Sequence, residues 1–221
     1  MMMNKLSITV SAALIGASLM TAEIASADVT ANVGAANMYL FRGANLSDGA
    51  PQVFGGVDFT HETGAYVGTW VSNDTVTGQE MDLYAGFAGE MSGFTYDIGI
   101  IDYEYTDEED HKFGELSELM ISGGFGPFGL SWYQSLQGED STPFTGGYDY
   151  INASYTYEAF SAGLGQFLGG PDDVDYTHLD LSYAVTDELS FTASNVIDKD
   201  DGAGVNNGFK LVVTWAKEFE L

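Results

Sequence analysis

Seven acidic side chains stand at alternate positions of short apolar segments, where they could face one interior. They are Asp58, Glu80, Asp82, Asp97, Glu115, Asp149 and Asp180. In residues 80–88 the strand period of two puts Glu80 and Asp82 on one face. The inward faces assigned to Glu115 and Asp149 also carry Ile121 and Ile151. Carboxylates around a water-filled lumen attract cations and repel anions. The alternative, which we favour slightly less, is hydrogen bonding across an interior filled by side chains.

Arg42 is a rare basic residue in this acidic chain and stands next to Gly43. It could pair with an inward carboxylate such as Asp58 or Asp82 and so narrow a pore. Alternatively it could hold the first loop against the wall of the fold. An arginine among many acids finds a carboxylate partner in either case, and we favour the structural role.

The sequence gives weaker support for metal binding and for enzymatic activity. Acid clusters at residues 107–110, 172–175 and 198–201 offer oxygen ligands for Ca²⁺, but none has EF-hand spacing, and solvated loop charge is the preferred interpretation. His178 lies two residues from Asp180 on one strand face, yet no Gly-x-Ser-x-Gly elbow occurs. We therefore predict no enzymatic activity, no catalytic residue and no cofactor or bound metal.

The charge of the chain is extreme, with 33 acidic and 6 basic residues and a formal net charge of −27. Nucleic acid is an unsuitable partner, because binding to phosphates needs Lys and Arg. The acidity fits either a cation-favouring pore or a surface adapted to salt, and the sequence leaves both open. The chain contains no cysteine, so no disulfide is expected.

Twelve short segments of alternating apolar and polar residues would position these side chains. They are predicted as strands at 29–40, 52–61, 65–72, 80–88, 94–105, 113–123, 128–135, 148–157, 160–168, 176–185, 189–197 and 209–221. Long polar loops and tight turns alternate between them, as in a transmembrane β-barrel. The sheet of such a barrel must close, because lipid cannot satisfy a free strand edge. A soluble acidic β-sandwich shares the period but does not explain the alternation of connections.

The ends of the chain indicate export. Lys5, an apolar run over 6–20 and Ala25-Ser26-Ala27 predict a cleaved signal peptide at 1–27. Residues 28–221 would then form one outer-membrane β-barrel domain. The last predicted strand alternates apolar residues and carries Phe219 near its end. This pattern is typical of barrels that the barrel assembly machinery inserts into outer-membrane lipid, while the oligomeric state stays open.

Residues 37–47, 51–52, 55–61, 64–73, 80–86 and 113–116 together resemble the TorF porin family. The resemblance covers nearly all of 28–221 and is densest over 29–86. It implies an outer-membrane location and a porin role, without a substrate.

The sequence thus predicts an all-β, antiparallel transmembrane barrel of about twelve strands with short periplasmic turns and longer extracellular loops. The predicted function is passive diffusion of small solutes, with a preference for cations, and the loop at 136–147 is expected to contribute to selectivity. The alternative is a non-conducting structural or surface barrel of the Gram-negative envelope.

Overall fold

The computed structural model describes residues 28–73, 78–106, 114, 116–136, 147–169 and 174–221. Every regular element in these residues is a β-strand. The strands are β1 (Asp28–Ala36), β2 (Leu40–Phe41), β3 (Ala44–Asn45), β4 (Gln52–Thr60), β5 (Ala65–Asn73), β6 (Gln79–Met91), β7 (Phe94–Tyr105), β8 (Ser117–Phe125), β9 (Phe128–Ser135), β10 (Tyr148–Tyr157), β11 (Phe160–Gly169), β12 (Tyr176–Ala184), β13 (Leu189–Lys199) and β14 (Lys210–Glu220). The predicted signal peptide, Glu115 and most of the loop at 136–147 lie outside the described residues.

Twelve of the described strands close into one barrel. Each strand pairs antiparallel with its neighbours, and β1 completes the ring by pairing with β14 on one side and β4 on the other. Thr30, for example, lies between Glu220 of β14 and Asp58 of β4. The predicted twelve-stranded antiparallel barrel is therefore confirmed.

The connections alternate in length, as the sequence predicts. Tight turns join β4 to β5, β6 to β7, β8 to β9, β10 to β11 and β12 to β13, and we call their side of the barrel the turn end. The longer connections lie at the opposite side, the loop end. The start of β1 and the end of β14 both lie at the turn end.

The first strand is shorter than predicted, because the Asn37 side chain makes the hydrogen bonds to β14 that the backbone of a longer β1 would make. Its amide nitrogen donates to the Leu211 carbonyl at 3.0 Å, and its oxygen accepts from the Val213 N–H at 2.7 Å. These bonds use the backbone groups of β14 with which a longer β1 would pair. The chain therefore leaves the wall after Ala36, and residues 40–45 form the separate two-stranded sheet of β2 and β3.

The outside of the barrel is apolar. Val53, Leu130 and Leu181 are 59%, 58% and 53% exposed, and each alternates along its strand with side chains that face the interior. A soluble sandwich would bury these residues, so the closed barrel with its apolar exterior rules out that alternative. No helix in the described ranges is long and apolar enough to span a membrane.

Candidate functional site

The chain between β1 and β4 folds into the barrel instead of out from it. We call residues 39–47 the inner hairpin; β2 and β3 are its two short strands. Its tip is Arg42-Gly43, with φ angles of 48° and 80°. Positive φ at both central residues defines a type I′ turn, in which glycine costs least. Tyr39, Leu40 and Arg42 are buried although they belong to a connection, because the barrel wall surrounds them.

The base of the inner hairpin rests on the nearer wall. The Tyr39 hydroxyl donates a hydrogen bond to Glu80 Oε1 at 2.9 Å, and its ring lies 6.0 Å from that of Trp70. Within the hairpin, the Tyr39 N–H donates to the Ser47 hydroxyl at 2.8 Å. Leu46 N–H donates to the Tyr39 carbonyl at 2.9 Å. The hairpin therefore has its own internal bonds and does not depend on the wall alone for its shape.

The tip of the inner hairpin reaches the opposite wall. Arg42 donates from its two terminal nitrogens to the two carboxylate oxygens of Glu118 on β8, each at 2.6 Å. Round the barrel, β8 is five strands from β1 in one direction and seven in the other. The Arg42–Glu118 pair thus fixes the hairpin across the lumen. Both side chains are almost fully buried, at 2% and 0% exposed.

Aromatic rings enclose the Arg42 guanidinium. Its central carbon lies 4.6 Å from the ring centre of Phe41, 4.6 Å from that of Tyr133 and 4.5 Å from that of Tyr150. Cations are attracted to the faces of such rings, and the attraction grows when water is excluded. Two charge-assisted hydrogen bonds and several cation–π contacts therefore act on one side chain.

Gly43 lies against His178 of β12 on the far wall. A Cβ atom at this position would be 2.6 Å from both Cβ and Cγ of His178, closer than real carbon atoms approach. His178 in turn shares a hydrogen bond of 2.8 Å between its Nε2 and the Tyr150 hydroxyl. The hairpin tip therefore contacts three neighbouring sections of the wall, through Glu118, Tyr150 and His178.

A family model described as "Bacterial protein of unknown function (Gcw_chp)" matches residues 21–207. The chain belongs to this family. The match supports a bacterial family of unknown function, and the narrower TorF name stays a prediction. No curated protein matched the chain.

Several solved structures are similar to this Gcw_chp chain. One is titled "KdgM porin", with 10% identity, a TM-score of 0.48, and coverage of 87% of this chain and 99% of that one. Another is the COG4313 outer membrane channel from Pseudomonas putida F1, with 9% identity, a TM-score of 0.44, and coverage of 88% and 96%. A third is outer membrane phospholipase A from Escherichia coli, with 9% identity, a TM-score of 0.43, and coverage of 86% and 91%.

Five of the predicted acids lie inside the Gcw_chp barrel, in two groups and one separate position. Glu80 and Asp82 are fully buried near the loop end, beside the inner hairpin. Asp58 and Asp97 are half-buried near the turn end and accept hydrogen bonds from Tyr84 at 2.6 Å and Tyr66 at 2.8 Å. The lumen is therefore more open to water at the turn end than at the loop end.

Asp180 lies in a separate buried polar cluster on β12 and β13. Its Oδ1 is 3.2 Å from His178 Nδ1, and Ser194 stands opposite it in the strand register. The other ring nitrogen of His178, Nε2, is hydrogen-bonded to the Tyr150 hydroxyl. In a serine hydrolase this nitrogen is hydrogen-bonded to the nucleophilic serine. The arrangement is a buried His–acid pair that lacks the geometry of a serine hydrolase site.

Two sequence assignments need correction. Asp149 lies on the outward face of β10, where its carboxylate accepts a hydrogen bond of 2.8 Å from Trp132 Nε1. Ile151, two residues further on the same face, is 37% exposed. Arg42 pairs with neither Asp58 nor Asp82, because the inner hairpin carries it past both to Glu118 on the far wall.

Glu118, the buried partner of Arg42, is absent from the acids that the sequence analysis assigns to the interior. The predicted strand begins at residue 113 and puts Glu115 and Ile121 inward, but β8 begins at Ser117 and Ile121 is exposed on the outside. Glu115 itself lies outside the described residues. Leu119 and Ile121 share one face of the strand, and the alternation with Glu118 on the other face is the signal in the sequence that places Glu118 inside.

The described residues contain no group of three or more His, Cys, Asp or Glu side chains placed to hold a metal ion. The predicted acid cluster at 107–110 and most of that at 172–175 lie outside the described part of the chain.

Proposed function

We propose that the protein is a narrow channel of the outer membrane, through which small solutes diffuse passively with a preference for cations. The observation that carries the proposal is the inner hairpin, which crosses a polar lumen and is anchored by Arg42 on Glu118. Selectivity in a pore depends on the width of its constriction and on the charges there. The inner hairpin lies inside the closed barrel, where it narrows the lumen and brings a charged side chain, Arg42, into it.

The proposed location follows from the surface of the barrel. Closed sheets leave no strand edge unpaired, and an apolar exterior matches the hydrocarbon of a bilayer. We propose outer-membrane lipid as its surroundings, export by a cleaved signal peptide at 1–27, and insertion by the barrel assembly machinery.

Cation preference is proposed from the interior charges. The Arg42 charge is matched by Glu118, whereas Asp58 and Asp97 are bonded by tyrosine hydroxyls, which carry no charge. Glu80 likewise accepts a hydrogen bond from a tyrosine, Tyr39. Carboxylates held in this way favour cations at the turn end of the lumen, where Asp58 and Asp97 are only half-buried.

A non-conducting structural barrel is the second candidate, and one observation favours it. Asp82, Glu118 and His178 are each 0% exposed, so the inner hairpin and side chains fill the lumen near the loop end. A small barrel can be filled in this way. In that case the hairpin would be a permanent plug.

Single-channel recording of the purified full chain in a planar bilayer under a salt gradient separates the two candidates. Discrete current steps with a cation-selective reversal potential would support the channel. A folded, heat-modifiable protein that never conducts, even when Arg42 is replaced, would leave the structural barrel.

Asp58→Asn is expected to weaken cation selectivity without closing the channel, because Asp58 is half-buried at the more open turn end and an asparagine oxygen can still accept the hydrogen bond from Tyr84. A unit charge about 4 Å from an ion in water contributes about 1 kcal/mol, which corresponds to a roughly fivefold fall in the cation-to-anion permeability ratio. Asp149→Asn is the matched control, since it removes the same charge from the outer face. Equal effects of the two substitutions on the reversal potential would contradict a selective role for the lumen acids.

A further inference from the structure

The surroundings of Arg42 on the far wall form a site that the hairpin does not itself build. Glu118, Tyr103, Tyr133 and Tyr150 come from four consecutive barrel strands, β7 to β10, and each is at least nine-tenths buried. The Tyr103 hydroxyl donates to Glu118 Oε2 at 2.8 Å, which orients the carboxylate independently of Arg42. Side chains held on regular strands keep their geometry better than side chains on loops. This wall site therefore exists whether or not the hairpin tip occupies it.

The contacts made by Arg42 define the chemistry that the wall site accepts. Its two terminal nitrogens donate in parallel to the two oxygens of Glu118 at 2.6 Å each, while its Nε has no hydrogen-bond partner among the described residues. The site therefore binds the guanidinium through its two terminal nitrogens and makes no hydrogen bond to the substituted nitrogen, Nε. A guanidinium or amidinium head has this two-pronged geometry, whereas a lysine-like ammonium is a single point charge. The faces of Tyr133 and Tyr150 add cation–π attraction to a flat cation.

We propose that Glu118, Tyr103, Tyr133 and Tyr150 form a binding site for small solutes with a monosubstituted guanidinium or amidinium head, which Arg42 occupies as an internal mimic. The inference rests on the proposed channel function, because such a solute would release the inner hairpin as it binds and so open the lumen. The tethered Arg42 competes at an effective concentration in the millimolar range, as short linkers give. Free solutes are therefore expected to act on the native chain only at millimolar concentrations or above.

The first test measures binding without needing conduction. Arg42→Ala empties the wall site, and methylguanidinium is the probe. We expect millimolar methylguanidinium to raise the thermal midpoint of this variant, followed by heat-modifiable gel mobility, by about 3–6 °C. Methylurea, which has similar shape and no charge, and methylammonium, which lacks the fork, are expected to have little effect. The double variant Arg42→Ala, Glu118→Gln should lose the response to methylguanidinium.

Equal shifts with all three probes, or an undiminished shift in the double variant, would overturn the proposal. If Arg42→Ala does not fold alone, its yield of heat-modifiable protein after refolding with each of the three probes carries the same comparison, and equal yields would overturn the proposal.

The second test links binding to the channel. In the native chain, millimolar methylguanidinium added at the loop end should increase the frequency of open events, and methylurea should not. Selective binding by a protein that never conducts would leave the wall site standing and count against the proposed channel. Conduction without selective binding would leave the channel standing and overturn the wall site. Conduction with selective binding but an unchanged frequency of open events would overturn the release of the hairpin.

Discussion

Replacing Arg42 by methionine is expected to lower the free energy of unfolding by about 3–5 kcal/mol, because it leaves the Glu118 carboxylate buried without its cation. Removing both charges with Arg42→Met, Glu118→Met should restore most of that loss, since neither side chain then needs a buried partner. The hairpin tip loses its anchor in both variants. Single-channel conductance should therefore rise in both, while only the single variant is strongly destabilised.

Urea unfolding of the barrel in lipid vesicles, followed by tryptophan fluorescence, measures the stability part of this prediction. A cost below about 1 kcal/mol for Arg42→Met would mean that water reaches Glu118 and that the pair behaves as a surface ion pair. Unchanged conductance in the double variant would contradict the role of the pair in holding the hairpin across the lumen.

Gly43→Ala is expected to dislodge the tip of the inner hairpin. The added methyl group meets His178 at 2.6 Å, and the residue must also keep a φ of 80°. Gly49→Ala is the matched control, because Gly49 has the same φ of 80° but nothing within 4 Å. Both variants bear the strain of left-handed backbone, about 1–2 kcal/mol. Only Gly43→Ala adds overpacking, typically about 1–3 kcal/mol.

The two glycine variants are compared by urea unfolding and by conductance. We expect Gly43→Ala to be less stable than Gly49→Ala by about 1–3 kcal/mol and to conduct more. If the two variants match in both measurements, the contact with His178 does not hold the hairpin in place.

The strands themselves were largely predictable, because their pattern is local. At residues 80–83 of β6, acids and apolar residues alternate, and the structure places Glu80 and Asp82 inside with Met81 outside. In β8 and β10 the same method put the wrong face inward, since acids and apolar residues there do not separate cleanly by parity. The error arises because an acid near the loop end, such as Asp149, can lie on the apolar outer face when a tryptophan N–H donates to it.

The proposed function depends on a feature that no local pattern contains. In residues 37–47 the apolar run at 38–41 continues the first predicted strand, and the sequence after it does not indicate whether the connection points into or out of the barrel. Its direction is set by Asn37, which ends the pairing of β1 with β14, and by contacts with β8, β10 and β12 on the far wall. The partner of Arg42 lies 76 positions away in the chain, and the sequence offered several carboxylates for it.

The sequence alone determined the all-β class, the number of barrel strands and the alternation of long and short connections. These features follow from the period of two and from turn residues, and both patterns depend only on residues that are close together in the chain. The tertiary structure decided which face of β8 and β10 points inward, which carboxylate Arg42 binds, and that the first connection enters the barrel. Such choices depend on ring closure, which brings distant strands together and places Glu118 within reach of Arg42.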